Sequence, residues 1–532
     1  MPHSIKIKTI KKAVAVTLID VSDSDGMRMK GIGFDNETYL SEQTAAIMAR
    51  VRNSKNKLYL EFGGKLVFDY HASRVLPGYD PNVKMRLLQE LKDEMEVILC
   101  IYAGDIEKKK MRADFGITYE SDIMKTMDEL KQWGIGVVGV VITRFEGQPA
   151  AEQFKKKLER RGVKVYIHRF IKGYPADAGR VVSEEGFGMN EYVETVKPLV
   201  VVTGPGPCSG KLSTCLSQMY HDHKRGIVSG YSKFETFPVW NLPLKHPVNM
   251  AYEAATAELG DINMIDPFHL EAYGTAAVNY NRDIEIFPVL KKILERITGM
   301  PSIYNSPTDM GVNRVGSAIT DDEAVAEASK QEITRRYFNY AKDYVLGLAE
   351  AESVEKLELL MQELGITPIE RSAVEPARRA AEDAKRSGKG NKGIYCGAAL
   401  QLAPGNIVIG KNSALMHSVS SMLLNALKAL AGIPDRIHLL SPNVMESIRY
   451  LKEIILESGN ESLDLEETLI ALAISAASNP TAAEALEQLK KLRGCEVHLS
   501  HIPTPGDEAG LKRIGVNYTS DPKFSTDTLF VN

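Results

Sequence analysis

The sequence predicts an α/β protein: a doubly wound parallel sheet, then a helical connector and a smaller C-terminal α/β domain. Three observations lead to this prediction. Apolar β-branched runs alternate with amphipathic stretches between residues 58 and 330, and residues 321–390 are rich in Ala, Glu, Lys and Leu with helical spacing. Strand-like runs begin again after residue 391. The expected domains are therefore residues 1–320, 321–390 and 391–532.

Five apolar runs are the predicted strands of the first domain: LYLEF (58–62), VILCIYA (97–103), VVGVVIT (137–143), VKVYIHR (163–169) and LVVVTG (199–204). Runs of this kind are typical of parallel strands that are buried on both faces. The stretches YESDIMKTMDELKQWG and PAAEQFKKKLERRG have helical periodicity, and each ends in Gly, which is favoured just after a helix. The first domain is therefore expected to have a doubly wound α/β core.

The C-terminal domain is expected to open with a hairpin. Two strand-like runs in IYCGAALQLAPGNIVIG meet at Pro404 and Gly405, and a helix follows in ALMHSVSSMLLNALKALAG. IHLLS and CEVHLSHI are further predicted strands. The connector before this domain ends in RSGKGNKG, which is typical of a flexible segment.

The composition is that of an ordinary globular protein. The 532 residues carry 65 Lys and Arg against 69 Asp and Glu, a formal charge of -4, and 44% of them are apolar. This balance gives no general attraction to nucleic acid. No apolar run approaches the roughly 18 to 20 residues that cross a bilayer, and the five scattered cysteines form no CxxC motif. We therefore expect a cytoplasmic protein with neither nucleic acid nor membrane as a partner.

The strongest functional signal lies in PLVVVTGPGPCSGKLSTCLSQMYHDHKRG, where a buried strand, a glycine-rich loop and a helix follow one another. Small loop residues let the backbone approach an anion, and the helix start offers free N–H groups and partial positive charge. A tight structural turn is the alternative interpretation. The predicted phosphate- or nucleotide-binding residues are Gly204, Gly206, Ser209, Gly210, Lys211, Ser213 and Thr214.

The loop is P-loop-like without having the regular spacing. Pro205 replaces the first glycine of GxxxxGK, and Leu212 follows the lysine where Ser or Thr is usual. Around a helix, Thr214 lies about 60° from Lys211 and Ser213 about 200°. We therefore expect Thr214 to be the better ligand for the magnesium ion of a nucleotide.

A second candidate is NMIDPFHLEAYG, which contains Asp266, His269 and Glu271. If this piece is extended, the two latter side chains project to one side and Asp266 reaches them from the turn at Pro267. These groups would suit acid–base catalysis or a hard metal ion. A polar turn with satisfied hydrogen bonds is equally compatible, so they are candidate catalytic residues and no metal ligands are assigned.

Several other groups of residues are candidate functional sites, and for each of them a purely structural loop is an equal alternative. One group is the loop at Gly63, Gly64 and Lys65, followed by Asp69, His71 and Ser73, which are expected to lie on one face of an extended segment before Arg74. A second group lies in a proline-rich loop and consists of Glu235, Trp240, Lys245 and His246. The third group consists of Asp309, Asn313 and Arg314. The HDH sequence at 221–223 is attributed to compensation of a helix dipole. Motifs of metalloproteases, serine hydrolases and protein kinases are missing from the sequence.

The segments GFDNETYLSEQ, NKLYLEFGGKLVFDYHASRVLPG, KPLVVVTGPGPCSGKLSTCLSQMYH and SPTDMGVN resemble the bacterial family catalogued as domain of unknown function 1846. The resemblance covers nearly the whole chain and implies a bacterial cytoplasmic protein with a Rossmann-like first part and a separate C-terminal domain. It assigns no activity. Members usually have PGSGK at residues 207–211, so Cys208 stands in place of a glycine and is expected to tighten the loop.

The stretch GAALQLAPGNIVIGKNSALMHSVSSMLLNALKAL resembles the hairpin-then-helix opening of cytidine-deaminase-like folds. In such folds a His or Cys zinc ligand and a Glu proton carrier begin the helix. Here Ser418 and Val419 follow His417, and no PCxxC follows IHLLSP. The fold resemblance therefore implies no deaminase zinc site.

These observations favour an enzyme that holds a nucleotide or phosphorylated metabolite at residues 204–214 and transfers a phosphoryl or other group to a small molecule. Asp266, His269 and Glu271 would act on the second substrate. The alternatives are a non-catalytic protein that senses a phosphate-bearing ligand and an oligomeric structural protein. A homo-oligomer is expected in each case.

Overall fold

The computed structural model describes residues 32–112, 116–403, 405–457 and 460–528. Residues 1–31 of the expected first domain and Pro404 of the expected hairpin turn lie outside this part of the chain. The first domain has strands β1 to β11 at Lys57–Phe62, Met95–Tyr102, Met111–Arg112, Ile117–Thr118, Val137–Phe145, Val165–Arg169, Leu199–Thr203, Ser229–Phe234, Asn263–Ile265, Val278–Tyr280 and Gly311–Val312.

Seven of these strands form one parallel sheet in the order β11-β8-β1-β7-β2-β5-β6. The five strands predicted from apolar runs are confirmed as β1, β2, β5, β6 and β7. Strand β8, with the sequence SGYSKF, was not predicted, because serine, glycine and lysine interrupt its apolar pattern although most of its residues are buried. The large α/β domain with a parallel sheet is thus confirmed.

Helices cover both faces of this sheet. The helices of the first part, α1 to α12, span Asn36–Asn53, Tyr70–Val75, Val83–Glu90, Ala103–Glu107, Tyr119–Gln132, Pro149–Glu159, Ala178–Val181, Lys211–Lys224, Pro247–Ala255, Pro267–Tyr273, Asn281–Thr298 and Pro307–Met310. Successive residues of β7 point to opposite faces, so Val201 joins the core beneath α1, α3, α5 and α6. Val200 and Val202 join the core beneath α7, α8 and α11.

Three helices follow the sheet domain: α13 at Asp322–Val345, α14 at Ala351–Leu364 and α15 at Val374–Arg386. The helical character predicted for residues 321–390 is confirmed. Helices α13 and α14 pack on each other and on α9, whereas α15 packs on the C-terminal sheet. Helix α13 also contacts that sheet, so it lies between the two domains.

The C-terminal sheet has four strands: β12 at Gly397–Ala403, β13 at Asn406–Lys411, β14 at Glu496–Leu499 and β15 at Asn517–Ser520. Their order is β13-β12-β14-β15, with β12 antiparallel to both neighbours and β14 parallel to β15. Five helices accompany the sheet: α16 to α20 at Ser418–Ala431, Pro442–Tyr450, Leu465–Ala476, Pro480–Glu487 and Pro505–Ile514.

The predicted hairpin and its following helix are confirmed, but the predicted strand IHLLS is wrong. Residues 437–441 form an irregular segment in which Leu439 and Leu440 are buried, and Ser441 precedes the Pro442 that begins α17. Two leucines in a loop can fill a core without ladder hydrogen bonds, so the apolar run misled the prediction. Across the described ranges, no helix has both the length and the apolar character needed to cross a bilayer.

Stacking of Phe62 on Phe234 joins β1 to β8, with ring centroids 3.9 Å apart and both side chains fully buried. We expect Phe234→Ala to lower the free energy of unfolding by about 3 to 5 kcal/mol, because it removes buried surface and leaves a cavity. Urea denaturation of the first domain measures the loss. The exposed Phe170→Ala change, in the same domain, serves as the matched control and should change this free energy by less than about 0.5 kcal/mol. Equal effects of the two changes would contradict the packing.

Candidate functional site

A cavity of about 1510 Å³ lies at the carboxyl ends of the parallel strands. Its walls include the end of β5 and residues that follow β1, β6, β7 and β8, together with residues of α13 and of the C-terminal domain. Ligand pockets of proteins usually measure about 300 to 1000 Å³. The cavity therefore has room for a metabolite or nucleotide at the edge where open α/β sheets bind ligands.

The loop after β7 reaches this cavity because its glycines allow a tight path. A Cβ on Gly204 would lie 2.4 Å from the carbonyl oxygen of Cys100. Gly210 has a φ of 95° and lies against Thr143, whose side chain a Cβ would meet at 2.6 Å. Both positions thus require glycine. Cys208 also has a positive φ, 58°, where a glycine would be unstrained.

The amides of the loop are the main feature of the site. Over the part of the chain that the structure describes, the backbone N–H groups of Ser209, Gly210, Lys211, Leu212 and Ser213 form no hydrogen bond within the protein. Helix α8 begins at Lys211 without a side-chain cap, and its first internal bond here is from Thr214 to Gly210. Free amides at the start of a 14-residue helix are suited to an anion.

Side chains hold the loop in this conformation. The Lys211 Nζ donates to the Gly206 carbonyl at 3.1 Å and approaches the Ser209 Oγ at 3.4 Å. Thr143 Oγ1 donates to the Ser209 carbonyl at 2.8 Å. Arg144 donates to the Cys208 carbonyl, and its guanidinium lies 3.4 Å from the centroid of the Tyr102 ring. The ammonium of Lys211 therefore lies over the loop, where it can meet an anion.

The two hydroxyls on the first turns of α8 differ in position. Ser213 lines the cavity. Thr214 is fully buried, and its Oγ1 accepts from Cys100 Sγ at 3.4 Å. The expectation that Thr214 is the better magnesium ligand is therefore not supported, because the helix packs that side against β2. Gly206, Ser209, Gly210 and Lys211 line the cavity, whereas Gly204 lies behind the loop.

The three predicted catalytic residues do not form a site with the loop, since none of them lines the cavity. The segment is helix α10 and not extended, and Asp266 caps it by accepting from the His269 N–H at 3.0 Å. Asp266 also accepts from Thr308 Oγ1 at 2.7 Å. His269 Nδ1 pairs with Ser306 Oγ at 3.0 Å, and Glu271 is exposed. The polar-turn alternative describes these contacts.

The weaker candidates divide in the same way. Gly63, Gly64, Lys65, Asp69, His71, Arg74 and Glu235 line the cavity, and Ser73, Trp240, Lys245, His246, Asp309, Asn313 and Arg314 do not. The expected extended segment after Asp69 is helix α2, which Asp69 caps at the Ala72 N–H. Trp240 donates to the Asn313 carbonyl at 3.0 Å. In the HDH sequence, Asp222 accepts from Tyr59 at 2.8 Å, near the end of α8.

The cavity concentrates positive charge. Sixteen lysines and arginines line it against eight aspartates and glutamates, although the whole chain has a formal charge of -4. Arg144, Arg169, Lys211 and Arg493 form no ion pair with any described carboxylate. Walls of one sign focus the field inside a cleft and attract ligands of the opposite sign. The cavity is therefore suited to an anionic ligand.

One group of ionisable side chains is buried in the cavity wall at the ends of β8 and β10. Lys233 Nζ lies 2.7 Å from Glu235 Oε1 and also contacts Asp283 and the Tyr280 hydroxyl. Burial raises the pKa of Glu235 to about 7, and the neighbouring Asp283 carboxylate acts in the same direction against the attraction of Lys233. A carboxyl group with such a pKa can exchange a proton near neutral pH.

The start of α16 in the C-terminal domain carries a different arrangement from a deaminase site. His417 Nδ1 lies 2.8 Å from Asp507 Oδ2, and this contact raises the pKa of His417 against the effect of burial. His501 is buried, and its pKa is lowered to about 4. Over the described ranges, no group of three or more His, Cys, Asp or Glu side chains has an arrangement that could hold a metal ion.

Sequence analysis missed several cavity residues because they lie far apart in the chain. Arg144 and Arg169 stand at the carboxyl ends of two strands that were predicted, so the position of strand ends could have identified them. Lys233 lies in the unpredicted β8, and Asp283 lies on α11. No local motif marks the pairing of these two, because only the fold brings them together.

The sequence matches a known protein family over nearly its whole described length. A family model described as "Domain of unknown function DUF1846, N-terminal" matches residues 32–365, and "Domain of unknown function DUF1846, C-terminal" matches residues 369–530. UPF0371 proteins of Clostridium botulinum strains Alaska E43 and Eklund 17B are 54% identical over 501 residues, which cover 94% of this chain and 99% of theirs. The UPF0371 protein of strain Langeland is equally similar over 502 residues.

The pKa of Glu235 makes stability depend on pH. In the folded state Glu235 has a pKa of about 7, whereas a glutamate in the unfolded chain has a pKa of about 4.3. The resulting stabilisation is present at low pH and is lost as pH rises through this window. We therefore expect Glu235→Gln to gain about 2 to 3 kcal/mol of unfolding free energy relative to the parent between about pH 5 and pH 8.

Urea denaturation at both pH values measures this difference. The exposed Glu382→Gln change, outside the cavity, controls for the loss of a carboxylate. A difference between Glu235→Gln and the parent that stays constant across the window would contradict the raised pKa.

Proposed function

The chain belongs to the DUF1846 family, and we propose that it is an enzyme that binds a nucleotide or phosphorylated metabolite in the basic cavity and transfers a phosphoryl or other group to a small molecule. The observation that carries the proposal is the row of backbone amides at residues 209–213, which line this cavity and form no hydrogen bond within the described part of the chain. Phosphate groups in proteins commonly bind to free N–H groups at the positive end of a helix dipole, and Lys211 adds a positive charge at this position.

The charge distribution supports a phosphate rather than a neutral ligand. Lysines and arginines outnumber aspartates and glutamates two to one around the cavity, and an anionic ligand would balance this excess. A phosphate on the loop would neutralise Lys211 and accept hydrogen bonds from the amides. The Ser213 hydroxyl, which lines the cavity, would hold the magnesium ion that accompanies a nucleotide.

Glu235 is the group that we assign to proton transfer in place of Asp266, His269 and Glu271, because it lines the cavity and they do not. In phosphoryl transfer, the Glu235 carboxylate would take the proton of the acceptor hydroxyl. The hydroxyl oxygen forms the new bond to phosphorus, and the leaving oxygen keeps the electron pair of the bond that breaks. Lys211 and the amides would stabilise the negative charge on the transferred group.

The homo-oligomer expected from the sequence stays a prediction. It has support in an exposed apolar surface that follows α17, where Leu451, Ile454, Ile455 and Leu456 are between 47% and 64% exposed. Contiguous apolar side chains of this kind often mark contacts between proteins.

Lys211→Ala tests the phosphate site. ATP, GTP, nucleotide sugars and phosphosugars are titrated into the parent by calorimetry, after a thermal-shift screen in which a ligand at about 100 times its Kd adds about 2.7 kcal/mol. We expect Lys211→Ala to weaken the best ligand at least about 10-fold, since a charged hydrogen bond contributes about 1.5 to 3 kcal/mol. Lys157→Ala, an exposed change on α6, is the matched control. Unchanged affinity in Lys211→Ala would refute the assignment.

Glu235→Gln separates an enzyme from a ligand sensor. The amide keeps the shape of the side chain but cannot accept a proton, so turnover of the ligand identified above should fall about 100-fold or more while its Kd changes little. His269→Ala is the comparison variant and should leave the rate unchanged, because His269 lies outside the cavity. Retained turnover in Glu235→Gln, or loss of turnover in His269→Ala, would disprove the assignment of proton transfer to Glu235.

A further inference from the structure

Three arginines surround a single buried carboxylate on the α13 side of the cavity. Glu332 is 2% exposed. Arg74 Nε lies 2.8 Å from Glu332 Oε2, Arg335 makes two bonds to the carboxylate at 2.6 and 2.7 Å, and Arg336 Nε lies 3.0 Å from Oε1. The arginines come from α2 and α13, and each one lines the cavity.

This cluster has more positive charge than its own carboxylate can balance. Glu332 neutralises one guanidinium and leaves two, and over the described ranges no other carboxylate forms an ion pair with the three arginines. The nearby Glu496 is paired with Arg371 at 2.6 Å. Burial and, after it, the charge of Arg335 together lower the pKa of Arg74 to about 10.

A structural role alone does not account for three guanidiniums. One bidentate arginine already satisfies both oxygens of a carboxylate, as Arg335 does here. Each additional buried cation carries a desolvation cost and repels its neighbours. Guanidinium groups are also the side chains best matched to phosphate and carboxylate oxygens. The excess charge therefore points to an anion in the cavity.

We propose that the ligand carries two anionic groups, a phosphate on the loop at residues 209–213 and a second phosphate or carboxylate on Arg74, Arg335 and Arg336. The inference rests on the proposed function for the first group only. It defines the substrate class as a doubly anionic small molecule that spans one cavity from the sheet to α13. Because α2 and α13 supply the second subsite, one ligand contacts elements that are distant in the chain.

Tungstate, a phosphate mimic with strong anomalous scattering, tests each subsite separately in crystals of the full chain. We expect one anomalous peak at the loop and one at the arginines. Lys211→Ala should remove only the first peak and Arg336→Gln only the second. Arg336→Gln leaves Glu332 paired with two arginines, so the fold should be retained.

The outcomes distinguish the two proposals. A loop peak without an arginine peak overturns the second subsite and leaves the proposed function intact. An arginine peak without a loop peak overturns the two-anion ligand, because the phosphate subsite at the loop is then missing. An arginine peak that survives Arg336→Gln is an adventitious ion only and also overturns the inference. If crystals of the parent show neither peak, both proposals are overturned.

A second measurement separates ligand binding from a structural role. Without ligand, Arg336→Gln should melt at the same temperature as the parent or higher, because it removes excess like charge. It should also weaken the binding of inorganic pyrophosphate, measured by calorimetry, at least about 10-fold. Arg379→Gln, an exposed arginine outside the cavity that pairs with Glu375, is the matched control. A lower melting temperature with unchanged pyrophosphate affinity would show that Arg336 is structural.

Discussion

The central place of β7 in the sheet determines the position of the loop that precedes α8. Its backbone is paired with β1 on one side and β2 on the other, and its side chains fill the cores on both faces. The strand therefore cannot shift, and the loop after it must leave the sheet at one position. Because Gly204 packs on the Cys100 carbonyl and Gly210 is left-handed, that loop turns at once into α8. Within the described ranges, the amides of residues 209–213 form no hydrogen bond to the protein.

Charge is distributed unevenly over the fold. The chain is slightly acidic as a whole, yet sixteen lysines and arginines line one cavity against eight aspartates and glutamates. Keeping such groups close together lowers the stability of the folded state, and proteins maintain destabilising arrangements mainly at functional sites. The raised pKa of Glu235 has a different origin, since burial and the Asp283 carboxylate oppose its ionisation while Lys233 favours it.

Prediction from sequence succeeded where the signal was local. Buried parallel strands have continuous apolar runs, so β1, β2, β5, β6 and β7 were recognised, and the glycine loop of α8 followed from the same segment. Prediction failed where one pattern suits two conformations. The alternation of Asp69, His71 and Ser73 fitted a strand, but an Asp cap began α2 instead, and the same kind of cap at Asp266 began α10. The angular position of Thr214 around the helix predicted that it would face the expected ligand. In the structure its side chain is buried against Cys100 instead.

The sequence by itself determined the family, the α/β class, the helical segment before the C-terminal domain and the loop that could bind an anion. These depend on periodicity, composition and residues within a few positions of one another. Only the tertiary structure decided which charged side chains share a cavity. Lys233 and Asp283 come from different elements, and Arg74 reaches Glu332 across 258 positions of the chain. The contacts of Lys233 with Asp283 and of Arg74 with Glu332 arise because sheet order and helix packing bring distant segments together, and no local pattern encodes them.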